Sequence, residues 1–186
     1  MYFSVGYPLG FEKTNDESWK YRNRIEIKGE YVFLDFVATV VWGFLDANKS
    51  ENEALKEVEK VLADMDGFSH EPSEVVPKVL EDLVESNLII HAKSVEELFE
   101  KIKDFKIVRS GFPYFDIDVM AELGKHIPTI DDNHVSNLQY SIWREAGAVK
   151  TLDEIYNEKF LDISISDFIN EIHDLRDKGL LNFYLV

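Results

Sequence analysis

The chain contains no cysteine, which removes disulfides, thiolate metal sites and cysteine nucleophiles at one stroke. It has no apolar run near the roughly 18 residues that crossing a membrane requires. Its start, Met1-Tyr2-Phe3-Ser4-Val5-Gly6-Tyr7-Pro8, carries neither the basic segment nor the apolar core of a secretory signal. A cytoplasmic location without a membrane partner is the expectation. Basic residues are scarce too, 20 Lys and Arg against 36 Asp and Glu, for a net charge of −16. Residues 1–30 carry five bases and five acids, 31–100 carry five and sixteen, and 101–186 carry ten and fifteen. Such a chain repels phosphate backbones at long range and attracts basic partners.

Catalytic signatures are also missing. His70, His91, His126, His134 and His173 show no His-x-x-x-His spacing, and only His126 and His134, flanking Asp131-Asp132, are candidates for convergence on a metal. Gly124-Lys125 has neither the upstream glycine nor the following hydroxyl residue of a phosphate loop, and no Gly-x-Gly-x-x-Gly occurs. The many carboxylates fall on outward helix faces, whereas a catalytic pair needs one member in an apolar pocket. No enzyme activity and no cofactor are expected.

What is present is a repeat. Val41-Trp42 and, further on, Lys49-Ser50-Glu51-Asn52-Glu53 recur at an offset of 101 as Ile142-Trp143 and Lys150-Thr151-Leu152-Asp153-Glu154. Leu80 to Ile89 then lies on Ile172 to Leu181 at an offset of 92. Two copies indicate a duplicated domain rather than a solenoid. The 45% hydrophobic and 13% aromatic content is that of folded protein. Residues 1–93 form the first domain, 94–104 a linker helix and 105–186 the second.

Within the first copy, Tyr2 to Tyr7 reads as a strand ending at Pro8-Leu9-Gly10. A polar loop runs from Glu12 to Trp19, and alternation in Arg24 to Lys28 and from Glu30 on gives a hairpin about Gly29. Val37, Val40, Val41, Phe44 and Leu45 have helical spacing. Ser50 with Glu53 is a capping box opening a second helix, with Ala54, Leu55, Val58, Val61 and Leu62 on its apolar face. A third helix starts between Glu74 and Pro77, with Pro77 in its first turn, and buries Val76, Val79, Leu80, Leu83 and Val84. Asn87 ends it in the left-handed conformation, as Gly179 does in the second copy. There, Thr151 with Glu154 caps one helix, another runs from about Ser164 to Lys178, and Leu180 to Val186 forms a closing strand.

The fold class is therefore α+β, two tandem winged-helix-like domains of short antiparallel strands and three helices each. The apolar pair before Asp35, then Ala38, Val41 and Trp42, the Ser50 or Thr151 cap, and the ending Leu175-Arg176-Asp177-Lys178-Gly179-Leu180-Leu181 resemble the PqqD-like winged-helix fold, the RiPP recognition element. That resemblance spans about two-thirds of the chain. It implies binding of leader peptides in modified-peptide biosynthesis. The chain departs from the family in carrying two copies, an insertion of nine residues in the first, and Asn87.

The expected function is binding of a basic peptide or protein through edge strands and the acidic third helices. Tyr31 and Phe33 with Glu81 and Glu85 form the first surface, and Ile130 with Glu171 and Asp174 the second. The alternative is a dimeric DNA-binding regulator reading DNA through basic strands. The bases Arg22, Arg24, Lys28, Lys101, Lys103, Lys106 and Arg109 avoid both third helices, which disfavours nucleic acid.

Overall fold

A computed structural model describes residues 1–13, 21–45, 49–65, 68–115 and 128–184. Most of the expected Glu12 to Trp19 loop, Gly124-Lys125 and His126 lie outside the described residues, as do the last two residues of the expected closing strand. The chain divides into two compact units, one of Met1–Lys101 with the residues from Tyr184 on, the other of Ile102–Phe183. Both mix helices with small antiparallel sheets, and the described residues hold seven helices in all.

In the first unit β1 (Tyr2–Ser4) pairs with β5 (Ile89–His91), placing Phe3 opposite Ile90. The chain then breaks at Gly6 rather than at the expected Pro8-Leu9-Gly10. Gly6 has φ +105°, and a Cβ there would lie 2.5 Å from Ile25 Cγ2. Pro8 sits instead within β2 (Tyr7–Lys13), beside a bulge between Pro8 and Gly10. An outer strand next to an irregularity is where proline is tolerated. β3 (Tyr21–Ile27) is central and β4 (Glu30–Leu34) completes the order β2-β3-β4. The hairpin turns on Lys28 and Gly29, both at positive φ, as the right-handed strand twist favours. Ile25 and Ile27 on β3 and Leu34 on β4 are buried, whereas Tyr31 and Phe33 face outward.

Asp35 opens α1 (Phe36–Phe44) by accepting the Ala38 N–H at 2.8 Å. Val37, Val40 and Val41 supply its buried stripe. α2 (Glu51–Ala63) buries Ala54, Val58 and Leu62, leaving Leu55 and Val61 half-exposed. α3 (Pro72–Glu85) starts earlier than its sequence suggests, with Pro72 at the first position, so Pro77 lies inside the helix. Pro77 has no N–H to offer the carbonyl four residues back, and the helix forgoes that one bond. Asn87, at φ +57°, ends α3. There the Leu88 N–H bonds Leu83 O at 2.9 Å and the Asn87 N–H bonds Val84 O at 3.1 Å, the paired bonds of a Schellman ending. α4 (Val95–Ile102) follows, and the division between the units falls at its last turn.

In the second unit β6 (Lys106–Arg109) lies between β10 (Gly147–Thr151) and β11 (Leu181–Tyr184). β7 (Pro113–Phe115), β8 (Pro128–Ile130) and β9 (Asn133–His134) form a separate sheet in that order. α5 (Asn137–Glu145) is capped by Ser136 and Gln139, α6 (Leu152–Lys159) by Thr151 and Glu154, and α7 (Ile165–Asp177) by Ser164. β10 has no counterpart among the sequence expectations. It joins β6 only at Gly147 and Thr151 with an irregularity between them, and Val149 is exposed, so no alternation marks it. α7 ends like α3, with Gly179 at φ +71° and the Leu180 N–H on Leu175 O at 2.8 Å.

Candidate peptide groove

β4 is an outer strand, paired among the described residues with β3 alone. An unpaired edge is a template for an added strand. Alternation along β4 turns Val32 and Leu34 toward α3. Between them and α3 lies a groove of about 280 Å³ whose apolar surface comes from Val32, Leu34, Ala38, Val79, Leu83 and Leu88. Asp35, Asp82 and Ser86 supply its polar groups. The Ser86 hydroxyl is turned back onto Leu83 O at 3.1 Å, and Asp35 is engaged in capping α1. Asp82 is thus the exposed carboxylate of the groove.

The expected site residues distribute differently from their sequence pattern. Tyr31 and Phe33 lie on β4 but on its outer face, 58% and 47% exposed, opposite Glu26 and Arg24. Arg24 covers the Tyr31 ring at 5.3 Å. Glu81 and Glu85 are on α3 but on its other flank, lining a different hollow. Helical phase accounts for this, since Val79, Asp82, Leu83 and Ser86 share one edge of the helix, and Leu80, Glu81, Val84 and Glu85 the other. Of the lining residues absent from the expected site, Val32 and Leu34 are signalled by the alternation of Glu30–Leu34, which sets them on the face of buried Ile25, and Val79 and Asp82 by the helical phase of α3.

In the second unit the strand that carries Ile130 ends at a turn on Asp131, φ +49°. Ile130 is fully buried on the central strand β8, between Pro113 and Asn133, so its side chain presents no exposed surface. The outer strands there are β7, three residues long, and β9, two residues long. Glu171 is half-buried and Asp174 exposed on α7. His134 Nδ1 lies 3.2 Å from Thr129 Oγ1, and among the described residues no three metal-ligating side chains converge.

Trp42 and Trp143 each anchor a helix to the end of a first strand. Trp42 Nε1 donates to Val5 O at 2.9 Å and Trp143 Nε1 to Ser110 O at 2.7 Å. Trp143 is buried and Trp42 half-buried. Arg109, counted among the basic residues, lies 5.1 Å over the Trp143 ring and donates to Arg144 O. Lys101 pairs with Glu97 at 2.7 Å and donates to His91 O. That lysine, foremost, holds the Glu97 carboxyl below its ordinary pKa. No helix among the described residues is long and apolar enough to cross a membrane.

No protein-family model, curated protein or solved structure matches the chain. The functional reading therefore rests on the geometry above.

Proposed function

We propose that the chain is a non-enzymatic binding protein in which an extended peptide adds to the free edge of β4 and sets alternate side chains into the groove against α3. The carrying observation is that one groove combines a strand edge left unpaired among the described residues with an apolar floor of Val32, Leu34, Val79 and Leu83. Main-chain hydrogen bonds along such an edge supply affinity, and the pocket reads alternate side chains. Asp82 favours a peptide with a base at the register position facing α3. The resemblance to RiPP recognition elements makes a leader peptide the first class to try.

The duplication belongs to the same reading. Its support is the matching pairs in the two units: the indole bonds of Trp42 and Trp143, the Schellman endings at Asn87 and Gly179, and Gly6 against Ile25 as Gly111 against Ile130. Both glycines have positive φ.

Selection of peptides from a random displayed library against the whole chain, followed by amide-shift mapping, tests the groove. The expected result is shifts along Val32 to Leu34 and at Val79 and Leu83, with Val79→Glu weakening binding at least about tenfold by placing a charge on the apolar floor. Peptides that map elsewhere, or that ignore V79E, overturn the groove. DNA binding keeps one supporting observation, Arg22 and Arg24 on the outer face of β3 beside Phe33 and Tyr31. Glu12 stands opposite Arg22 on β2, Glu26 follows two residues after Arg24 on β3 itself, and both offset the charge. A gel shift at low salt with mixed duplexes decides that reading.

A further inference from the structure

The other flank of α3 borders a hollow of about 510 Å³, within the size range of small-molecule sites. Its floor is Leu55 from α2 with Leu80 and Val84 from α3. One wall is aromatic, the Tyr2 ring stacked on His91 with centroids 4.7 Å apart and 27° between planes. His91 is held there by Glu51, whose Oε1 lies 2.5 Å from Nε2. At the mouth stand Glu81 and Glu85, both exposed. Among the described residues no lysine or arginine lines the hollow. Four residues of helix advance about 6 Å, so the two carboxylates repel each other along one face and present two anionic positions above an apolar trough.

We propose that this hollow binds an aliphatic diamine unit of the kind found in polyamines. One ammonium meets each glutamate, and the methylene spacer lies over Leu55, Leu80 and Val84. The methylenes leave water against the apolar floor, and the Tyr2 and His91 rings close the side. A lysine side chain brings one ammonium and leaves the second carboxylate uncompensated, and a guanidinium has no aliphatic stretch between two charges. The ligand chemistry is therefore two cations joined by a short hydrocarbon. This site is independent of the peptide groove, which takes Asp82 and not Glu81 or Glu85.

Titration of the whole chain with butane-1,4-diamine at low salt, followed by NMR, tests the proposal beside butylamine, butane-1,4-diol and a lysine-bearing tripeptide. The expected result is shifts at Tyr2, Leu55, Val84 and His91, with the diamine tightest and the diol silent. Glu81→Gln and Glu85→Gln each weaken the diamine about fivefold, both positions being exposed and tolerant of the change. Asp82→Asn leaves it unchanged. Equal shifts with the diol, unaltered affinity in the E81Q/E85Q double variant, or tighter binding of the tripeptide at these residues would each overturn the diamine assignment. A library-selected groove peptide gives its shifts whichever way this titration falls, so the two readings fail separately.

Discussion

Thr151 holds the first turn of α6 in both directions, its Oγ1 accepting the Glu154 N–H at 3.2 Å while Glu154 Oε2 accepts the Thr151 N–H at 2.8 Å. Thr151→Ala removes the first bond and strands a donor, an expected loss of about 1 kcal/mol. At Ser50 the hydroxyl donates to Glu53 at 2.5 Å, and the Ser50 N–H reaches the same carboxylate at 3.2 Å. Ser50→Ala keeps the backbone bond, so its expected loss is about half as large. Urea midpoints of the two variants check both the sign and the order. Glu51 adds a dependence on pH. The hydrogen bond from His91, then that from the Met1 amino group, holds its carboxyl below 4.5. A depressed folded-state pKa stabilises the fold fully above the unfolded value, and the contribution fades as acid carries the pH down through the folded one. Glu51→Gln therefore lowers the melting temperature at pH 7, and the gap from the natural chain narrows toward pH 3. A gap that widens in acid would contradict the pairing.

At the scale of elements, the turns leaving β1 and β6 depend on glycine for two reasons at once. Gly6 and Gly111 both have positive φ, and an added Cβ would meet Ile25 Cγ2 at 2.5 Å or Ile130 Cγ2 at 2.8 Å. Gly6→Ala combines backbone strain with overpacking against a buried isoleucine, for an expected loss of about 3 kcal/mol. Thermal unfolding reads it directly, and a loss under about 1 kcal/mol would mean the β1–β2 turn relaxes freely. Such close approaches are invisible in sequence, and the strand was accordingly expected to end at Pro8 instead. What the sequence did make legible are elements with a strong period or a cap, namely α1 from its valines, α6 from Thr151 and Glu154, and the end of α3 from Asn87. Periodicity defines the apolar stripe of α3 but not which neighbour covers each margin. Val79 and Leu83 therefore face β4, and Leu80 and Val84 the α2 side, a division that decided where Asp82, Glu81 and Glu85 point. Pro77 misled in the same way. As a helix breaker it marked the start of α3, although Pro72 already occupies the first position and one lost bond is tolerated inside.

Across the whole molecule the net charge of −16 sets how a partner arrives. Opposite charge raises encounter rates while leaving the departure of a docked peptide to local contacts. The groove itself is mostly apolar, with Asp82 its exposed charge, so the two contributions separate with salt. Between about 0.1 M and 1 M salt the screening length shrinks from about 10 Å to about 3 Å. A basic peptide selected on the groove is expected to lose association rate over that range while its dissociation rate holds nearly constant. Asp82→Lys moves the dissociation rate, because it replaces an attraction inside the groove by a repulsion. Reversing two acids remote from the groove, Glu57 and Glu59 on α2, moves the association rate alone. Stopped-flow measurement of both rates for the natural chain and the two variants checks this. A dissociation rate that rises steeply with salt in the natural chain would show that surface charge, and not the apolar floor of Val32, Leu34, Val79 and Leu83, holds the peptide.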